Sequence, residues 1–338
     1  MLDFKAQGFF SWIVVNNFDK IVHHSAFKEP NLILNQGLDG VAERTWADSF
    51  TVCAVGIGSG GATPSQTGLL SEVKRTMLYL DMEDACSASL IEKDFVLKRT
   101  FVFSTEASEI TYREAGFSHS PSAGGNLFSR IKLPNIVVGP GERLIIQYEL
   151  LIRIEPATPK VLTAPITGLA LGGSLQFQKI GLAGINSLGQ SEIFDDGQLC
   201  NEPSAAGEGF LSTNSDSPAT LGASINRGGT IYKKNLVINP YASGSYKRVK
   251  LLSLTRAEAH GDWRSCGVGP AGSSELNTGL ILVFDDIFIK RKGILNLGFT
   301  YTWGAFSRAN YTTLMYWLDD EKEFIKQNPL LQYFNLNE

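Results

Sequence analysis

The sequence predicts an all-β protein made of two antiparallel β-sandwich domains of jelly-roll type, followed by one short helix near the C-terminal end. Three observations lead there. Short runs rich in β-branched and aromatic residues recur along the chain, each bounded by turn formers. The 34 glycines and 20 phenylalanines among 338 residues suit many short strands joined by tight turns. A block of three strand-like segments also occurs twice. Its first copy is Ile110 to Phe117, Asn126 to Pro134 and Arg143 to Ile152; its second is Val249 to Arg256, Leu280 to Ile287 and Ile294 to Trp303. A framework present twice predicts an internal duplication.

Taken in order, strands are expected at Phe9 to Val15, Phe50 to Val55, Thr76 to Leu80 and Phe95 to Phe103, with a short turn or helix over Asn31 to Asp39. The first copy of the block follows. Gly-Pro-Gly within Val138 to Glu142 and Lys290 to Gly293 in the second copy read as hairpin turns between antiparallel neighbours. The Pro-containing stretch Glu155 to Lys160 marks a boundary, giving domains at 1–155 and 160–338. Residues 189–227 are rich in Gly, Ser, Asn, Asp and Pro with little periodicity, the pattern of a long surface excursion. A helix is expected over 312–328, with Leu314, Trp317, Leu318, Phe324 and Ile325 at helical spacing and Pro329 after its end.

Composition narrows the function classes. Hydrophobic residues at 43% and charged residues at 19% describe a folded globular chain. A net charge of −4 with no basic stripe argues against a nucleic-acid partner. The N-terminal residues lack the pattern of a signal peptide, and no run of about 18 apolar residues predicts membrane insertion. Cys53, Cys86, Cys200 and Cys266 form no C-x-x-C pair, so buried free thiols in a reducing cytoplasm are expected.

The candidate chemistry is sparse. Gly56-Ile-Gly58-Ser-Gly-Gly61 matches the dinucleotide fingerprint, with Asp81 about 20 residues beyond. Pro64 would break the following helix, however, and a glycine-rich loop between strands is the favoured reading. His23, His24, His119 and His260 have no metal-ligand spacing. The pairs Asp195-Asp196, Asp285-Asp286 and Asp319-Asp320 read as solvated carboxylates, not as a glycosidase pair. No G-x-S-x-G elbow is present. Tyr232, Tyr241 and Tyr246 could stack on a sugar or pack within strands. No catalytic residue, cofactor or metal is therefore expected.

Several segments together resemble virion proteins of tailed bacteriophages. They are Asn31 to Asp39, Cys53 to Gly60 with Pro64, Thr67 and Leu69, Glu72 to Arg75, Arg99 to Phe103, Ile110 to Phe117 and Asn126 to Pro134. The series covers roughly residues 8 to 152; beyond 160 the likeness rests on the sheet pattern and Thr302-Trp-Gly304. The resemblance implies a β-rich structural subunit of a tail fibre, collar or other fibre-anchoring appendage, without a cofactor and not an enzyme. Its partners would be other virion proteins of tail, neck or capsid, and its location the virion, after synthesis in the host cytoplasm. A homo-oligomer is expected. Leu314, Trp317, Leu318 and Phe324 on the helix, with Tyr333 and Phe334 beyond it, are the expected subunit-docking residues. The alternative is a module that binds host-surface carbohydrate through the 189–227 excursion or the aromatic strands. A head decoration protein or a polysaccharide-degrading enzyme stands third.

Overall fold

A computed structural model describes residues 2–26, 28–80, 94–156, 177–183, 208–212, 231–255, 257–269, 279–290 and 295–305. The N-terminal part of the chain forms β1 (Leu2–Val15), β2 (Ile21–His24), β3 (Glu29–Ile33), the helix α1 (Asn35–Gly40), a 3-10 turn over Ala47–Phe50, β4 (Val52–Gly56), β5 (Glu72–Thr76) and β6 (Tyr79–Leu80). Then come β7 (Asp94–Val102), β8 (Ile110–Ser118), β9 (Leu127–Val138), β10 (Arg143–Pro156), β11 (Phe177–Ala183) and β12 (Glu208–Ser212). The remainder supplies β13 (Ile231–Asn235), β14 (Val237–Ile238), β15 (Lys247–Leu254), β16 (Gly261–Gly269), β17 (Gly279–Lys290) and β18 (Leu295–Ala305). The protein is all-β.

Strand β1 organises the larger sheet because both of its faces are apolar. Phe4, Ala6, Phe10 and Val14 enter the main core, while Ile13 and Val15 join Ile145 in a second cluster. A strand covered on both faces belongs at the centre of a structure, where continuous hydrophobicity replaces strict alternation. One edge of β1 pairs antiparallel with β10 along its full length, from Leu2 opposite Pro156 to Val15 opposite Arg143. Three strands divide the other edge: β18 runs parallel to Leu2–Ala6, β3 antiparallel to Gly8–Phe10, and β2 antiparallel to Ile13–Val15.

From β3 the sheet continues through β9, β8 and β4 to β5, while β10 leads to β7. The β8 and β10 faces meet across an aromatic core: Phe117 stacks on Tyr148 at 3.9 Å between ring centres, and Phe101 of β7 lies 5.7 Å from Phe117. Edge and offset contacts of this kind are worth about 0.5–1.5 kcal/mol each beyond burial. A second, five-stranded sheet runs β11-β17-β16-β12-β13.

Several expectations are corrected. The large sheet is mixed, since β1 and β18 are parallel; strands almost 300 positions apart need no short crossover to pair that way. The duplicated block does not share a pairing order. In the first copy β8 pairs with β9, whereas β15 and β17 lie in different sheets; β15 instead pairs with β18, whose counterpart β10 packs face to face on β8 without pairing with it. The resemblance of the two copies is the generic alternation of strands.

Both expected hairpins fail for a related reason. β9 and β10 do not pair with each other, and neither do β17 and β18. The turn after β9 reverses the chain but carries it to a different ribbon, and β17 and β18 lie in different sheets. The surface excursion at 189–227 contains β12, where Phe210 and Leu211 are fully buried between β13 and β16. Its five residues are too few to show a period. Over 31–39 the chain is half strand and half helix, with β3 ending before α1 begins. The hydrogen-bonded sheet crosses the sequence boundary at 155–160, because β15 and β18 continue it beside β1. The helix expected over 312–328 lies outside the described residues.

Candidate functional site

The glycine-rich segment after β4 encloses an ion pair. On the β8–β9 ladder Glu114 pairs with Lys132 and Gly116 with Arg130, which makes Glu114 and Arg130 diagonal neighbours. Both side chains are fully buried, with Arg130 Nη2 2.6 Å from a Glu114 carboxylate oxygen. The loop closes over them. The backbone N–H groups of Gly58, Leu70 and Ser71 donate to Glu114 at 3.1, 3.0 and 2.7 Å. Arg130 donates to the Gly60 and Gly61 carbonyls and to Gln66 Oε1 at 3.0, 2.8 and 2.7 Å.

The glycines are required by this fit. A Cβ on Gly58 would stand 2.4 Å from Glu114 Oε1, and one on Gly56 would stand 2.3 Å from the Ser71 carbonyl. The loop therefore does cradle an anion, but the anion is the protein's own carboxylate. Those amides are occupied, no helix follows Gly61, and the dinucleotide alternative has no phosphate site. Burial pushes the Glu114 carboxyl up, yet the Leu70 and Ser71 amides and Arg130 outweigh it and hold the group below the usual carboxylate range.

A cleft of about 320 Å³ lies beside α1, walled by Asp39, Glu43 and Arg44, by His119 and Asn126 beyond β8, and by Tyr241 and Ser243. Asp39 binds the two walls together. It accepts from Tyr241 Oη at 2.6 Å, Ser243 Oγ at 2.8 Å and the Gly244 N–H at 2.7 Å. Trp303 Nε1 donates to the Leu38 carbonyl at 2.7 Å, and Arg248 to the Ala42 carbonyl, which strengthens the same seam. Burial raises the Asp39 carboxyl, but its three donors reverse this and leave it lowered. Burial, helped by the nearby Arg44 charge, holds the His119 imidazole below its ordinary value.

Comparison with protein-family models, curated proteins and solved structures finds no match. The site is therefore read from its geometry alone.

The expected docking residues Leu314, Trp317, Leu318, Phe324, Tyr333 and Phe334 all lie outside the described residues. His23 and His24 are exposed on β2, and among the described residues no three metal-ligating side chains cluster. Cys53 and Cys266 are buried free thiols, with burial raising both; Cys86 and Cys200 lie outside the described residues. Asp285-Asp286 falls within β17, while Asp195-Asp196 and Asp319-Asp320 are outside the described residues. Tyr232, Tyr241 and Tyr246 pack half-buried against the core. Among the described residues no helix is long and apolar enough to cross a membrane. Sequence reasoning did not find the cleft, because Asp39 and Tyr241 are 202 positions apart and no local pattern joins them.

Proposed function

We propose that the protein is a structural subunit of a tailed-phage virion, in a tail-fibre, collar or fibre-anchoring role, acting through protein–protein assembly. One observation carries this reading: the segments that resemble virion proteins are used on one another. Glu114 and Arg130 come from two of them, and the glycine-rich segment covers the pair. The segment containing Asn31–Asp39 is fastened to the same unit through Asn35 N–H to the Pro64 carbonyl and Leu34 N–H to the Phe128 carbonyl, at 2.8 and 2.9 Å. Arg99, from another, donates to the Ala47 carbonyl and lies over the Phe50 and Tyr79 rings. Motif residues that hold one another in place serve architecture, which is what an assembling subunit needs.

The assembly surface in this reading runs along Leu70, Val73, Met77 and Leu78, apolar side chains exposed at the β5 margin. Ile57, exposed beside them, is held there by its N–H bond to the Ser71 carbonyl at 3.0 Å. Clustered exposed apolar groups mark contact surfaces. Replacing Val73 and Met77 together by Glu is expected to shift the protein from oligomer to monomer in light scattering while its melting temperature stays within a few degrees. An oligomer unchanged in size would remove this surface from the proposal. The function itself is tested by electron microscopy of phage particles labelled with an antibody against this chain. Label on a tail, neck or collar appendage is expected; particles that carry none would refute the assignment.

A further inference from the structure

We propose that the cleft between α1 and the 241–244 turn binds one neutral saccharide unit. The proposal is independent of the assembly reading and concerns a separate surface. The volume of about 320 Å³ is at the small end of ligand clefts, which span about 300–1,000 Å³. Most such clefts are lined by apolar side chains. This one is lined mainly by hydrogen-bonding residues, with Tyr241, Leu127 and Phe128 as its aromatic and aliphatic members.

The free bonding capacity defines the ligand. The Asp39 carboxylate is already engaged by three donors, so it offers little to a metal ion or an ammonium group. Among the described residues, the Arg44 guanidinium, the Glu43 carboxylate and the His119 imidazole make no hydrogen bond or ion pair within the protein. Arg44 and His119 are half-buried. They present a planar fork of donors, a pair of acceptor oxygens and a ring with one donor and one acceptor nitrogen when neutral. Adjacent sugar hydroxyls each donate and accept, and so match that mixture.

Charge does not favour anions. Asp39 and Glu43 set two carboxylates beside Arg44 on the cleft wall, with the Arg248 guanidinium over the Tyr241 ring and close enough to act on Glu43. The two signs balance, so the cleft has no positive excess to hold a phosphate or uronate, and an uncharged polyol needs none. The C–H face of a sugar ring can also lie against the exposed part of Tyr241, as aromatic side chains with a polar tip allow.

The test is saturation-transfer NMR on the full chain with glucose, galactose, N-acetylglucosamine and lactose, against glucuronic acid and inorganic phosphate. At least one neutral saccharide is expected to give a saturable signal. Arg44→Ala and His119→Ala should each weaken it at least ten-fold while melting like the parent protein, since neither side chain is bonded into the fold. Lys20→Ala, in the turn between β1 and β2, should leave it unchanged. The proposal is overturned if none of the neutral probes saturates, if only glucuronic acid or phosphate binds, or if Arg44→Ala and His119→Ala both bind as tightly as the parent.

Discussion

Glu114→Gln is expected to cost about 3–5 kcal/mol of folding stability at neutral pH, the range found when one partner of a buried ion pair is removed. The substitution keeps the shape and leaves Arg130 charged in a site with no solvent access. The Gly58 and Ser71 amides donate to one carboxylate oxygen and Leu70 to the other. Gln, with a single acceptor oxygen, keeps only one of these sets, so the loss includes unmade amide bonds as well as the unpaired charge. Arg130→Met should be comparably harmful at pH 7, because it strands the carboxylate. The double variant should recover part of the loss, since it leaves no unpaired buried charge. Denaturant unfolding of the three variants measures this. A Glu114→Gln protein as stable as its parent would show that the pair contributes nothing.

The same pair makes the fold acid-sensitive in a defined direction. The folded Glu114 carboxyl lies below its ordinary value, so its contribution is fully present above the unfolded carboxyl value of about 4.3. It is lost as pH falls through the lower, folded value. In Arg130→Met the attraction of the guanidinium is gone while burial and the Leu70 and Ser71 amides remain, so the carboxyl rises relative to the parent. The penalty of that variant should therefore shrink as pH falls through the carboxylate range. The Glu114→Gln penalty should shrink only at the lower pH where the parent itself loses the Glu114 contribution.

The strands were legible because their signal is local. The run Phe9 to Val15 carries apolar side chains on both faces whatever lies next to it, and it became the middle of β1. The pairing of the strands was not legible. The Gly-Pro-Gly turn after Val138 reverses the chain in any context, and only the packing of the aromatic core makes β10 join β1 and not β9. Arg130 shows the same limit at a single residue. Arg130 and Lys132 are two positions apart on one strand, with the same charge, and alternation alone treats them alike. Arg130 is buried and Lys132 exposed, because a loop 70 positions earlier covers the first and leaves the second in water. The glycine-rich loop was correctly read as a loop, but its purpose depends on a carboxylate 56 positions beyond Gly58. Asp39 belongs to a recognisable segment, yet its role as a clasp to Tyr241 and Ser243 follows only from the folded chain.

Gly37→Ala and Gly40→Ala separate packing from propensity within one helix. Alanine is favoured over glycine in a helix by about 0.8–1.0 kcal/mol, so propensity alone would make both substitutions stabilising. At Gly37 the new methyl would stand 2.1 Å from the Phe128 carbonyl oxygen and 2.8 Å from its carbonyl carbon. That carbonyl belongs to β9 and also accepts the Leu34 N–H, so backbone on both sides would have to move apart. Overpacking of this kind costs about 1–3 kcal/mol or more. Against backbone the upper end applies, giving a net loss of about 2 kcal/mol for Gly37→Ala. At Gly40 the methyl would meet only the Arg44 Nη1 tip, at 2.4 Å, and a flexible side chain can swing clear. Gly40→Ala should stay within about 0.5 kcal/mol of the parent or gain slightly from propensity. Denaturation midpoints of the two variants decide the matter. Equal effects would mean that α1 is not seated against β9, and the cleft would lose its fixed wall. A selective loss at Gly37 places the helix where Asp39, Glu43 and Arg44 are held in one rigid rim, while the displaced Arg44 of Gly40→Ala alters the cleft without altering the fold.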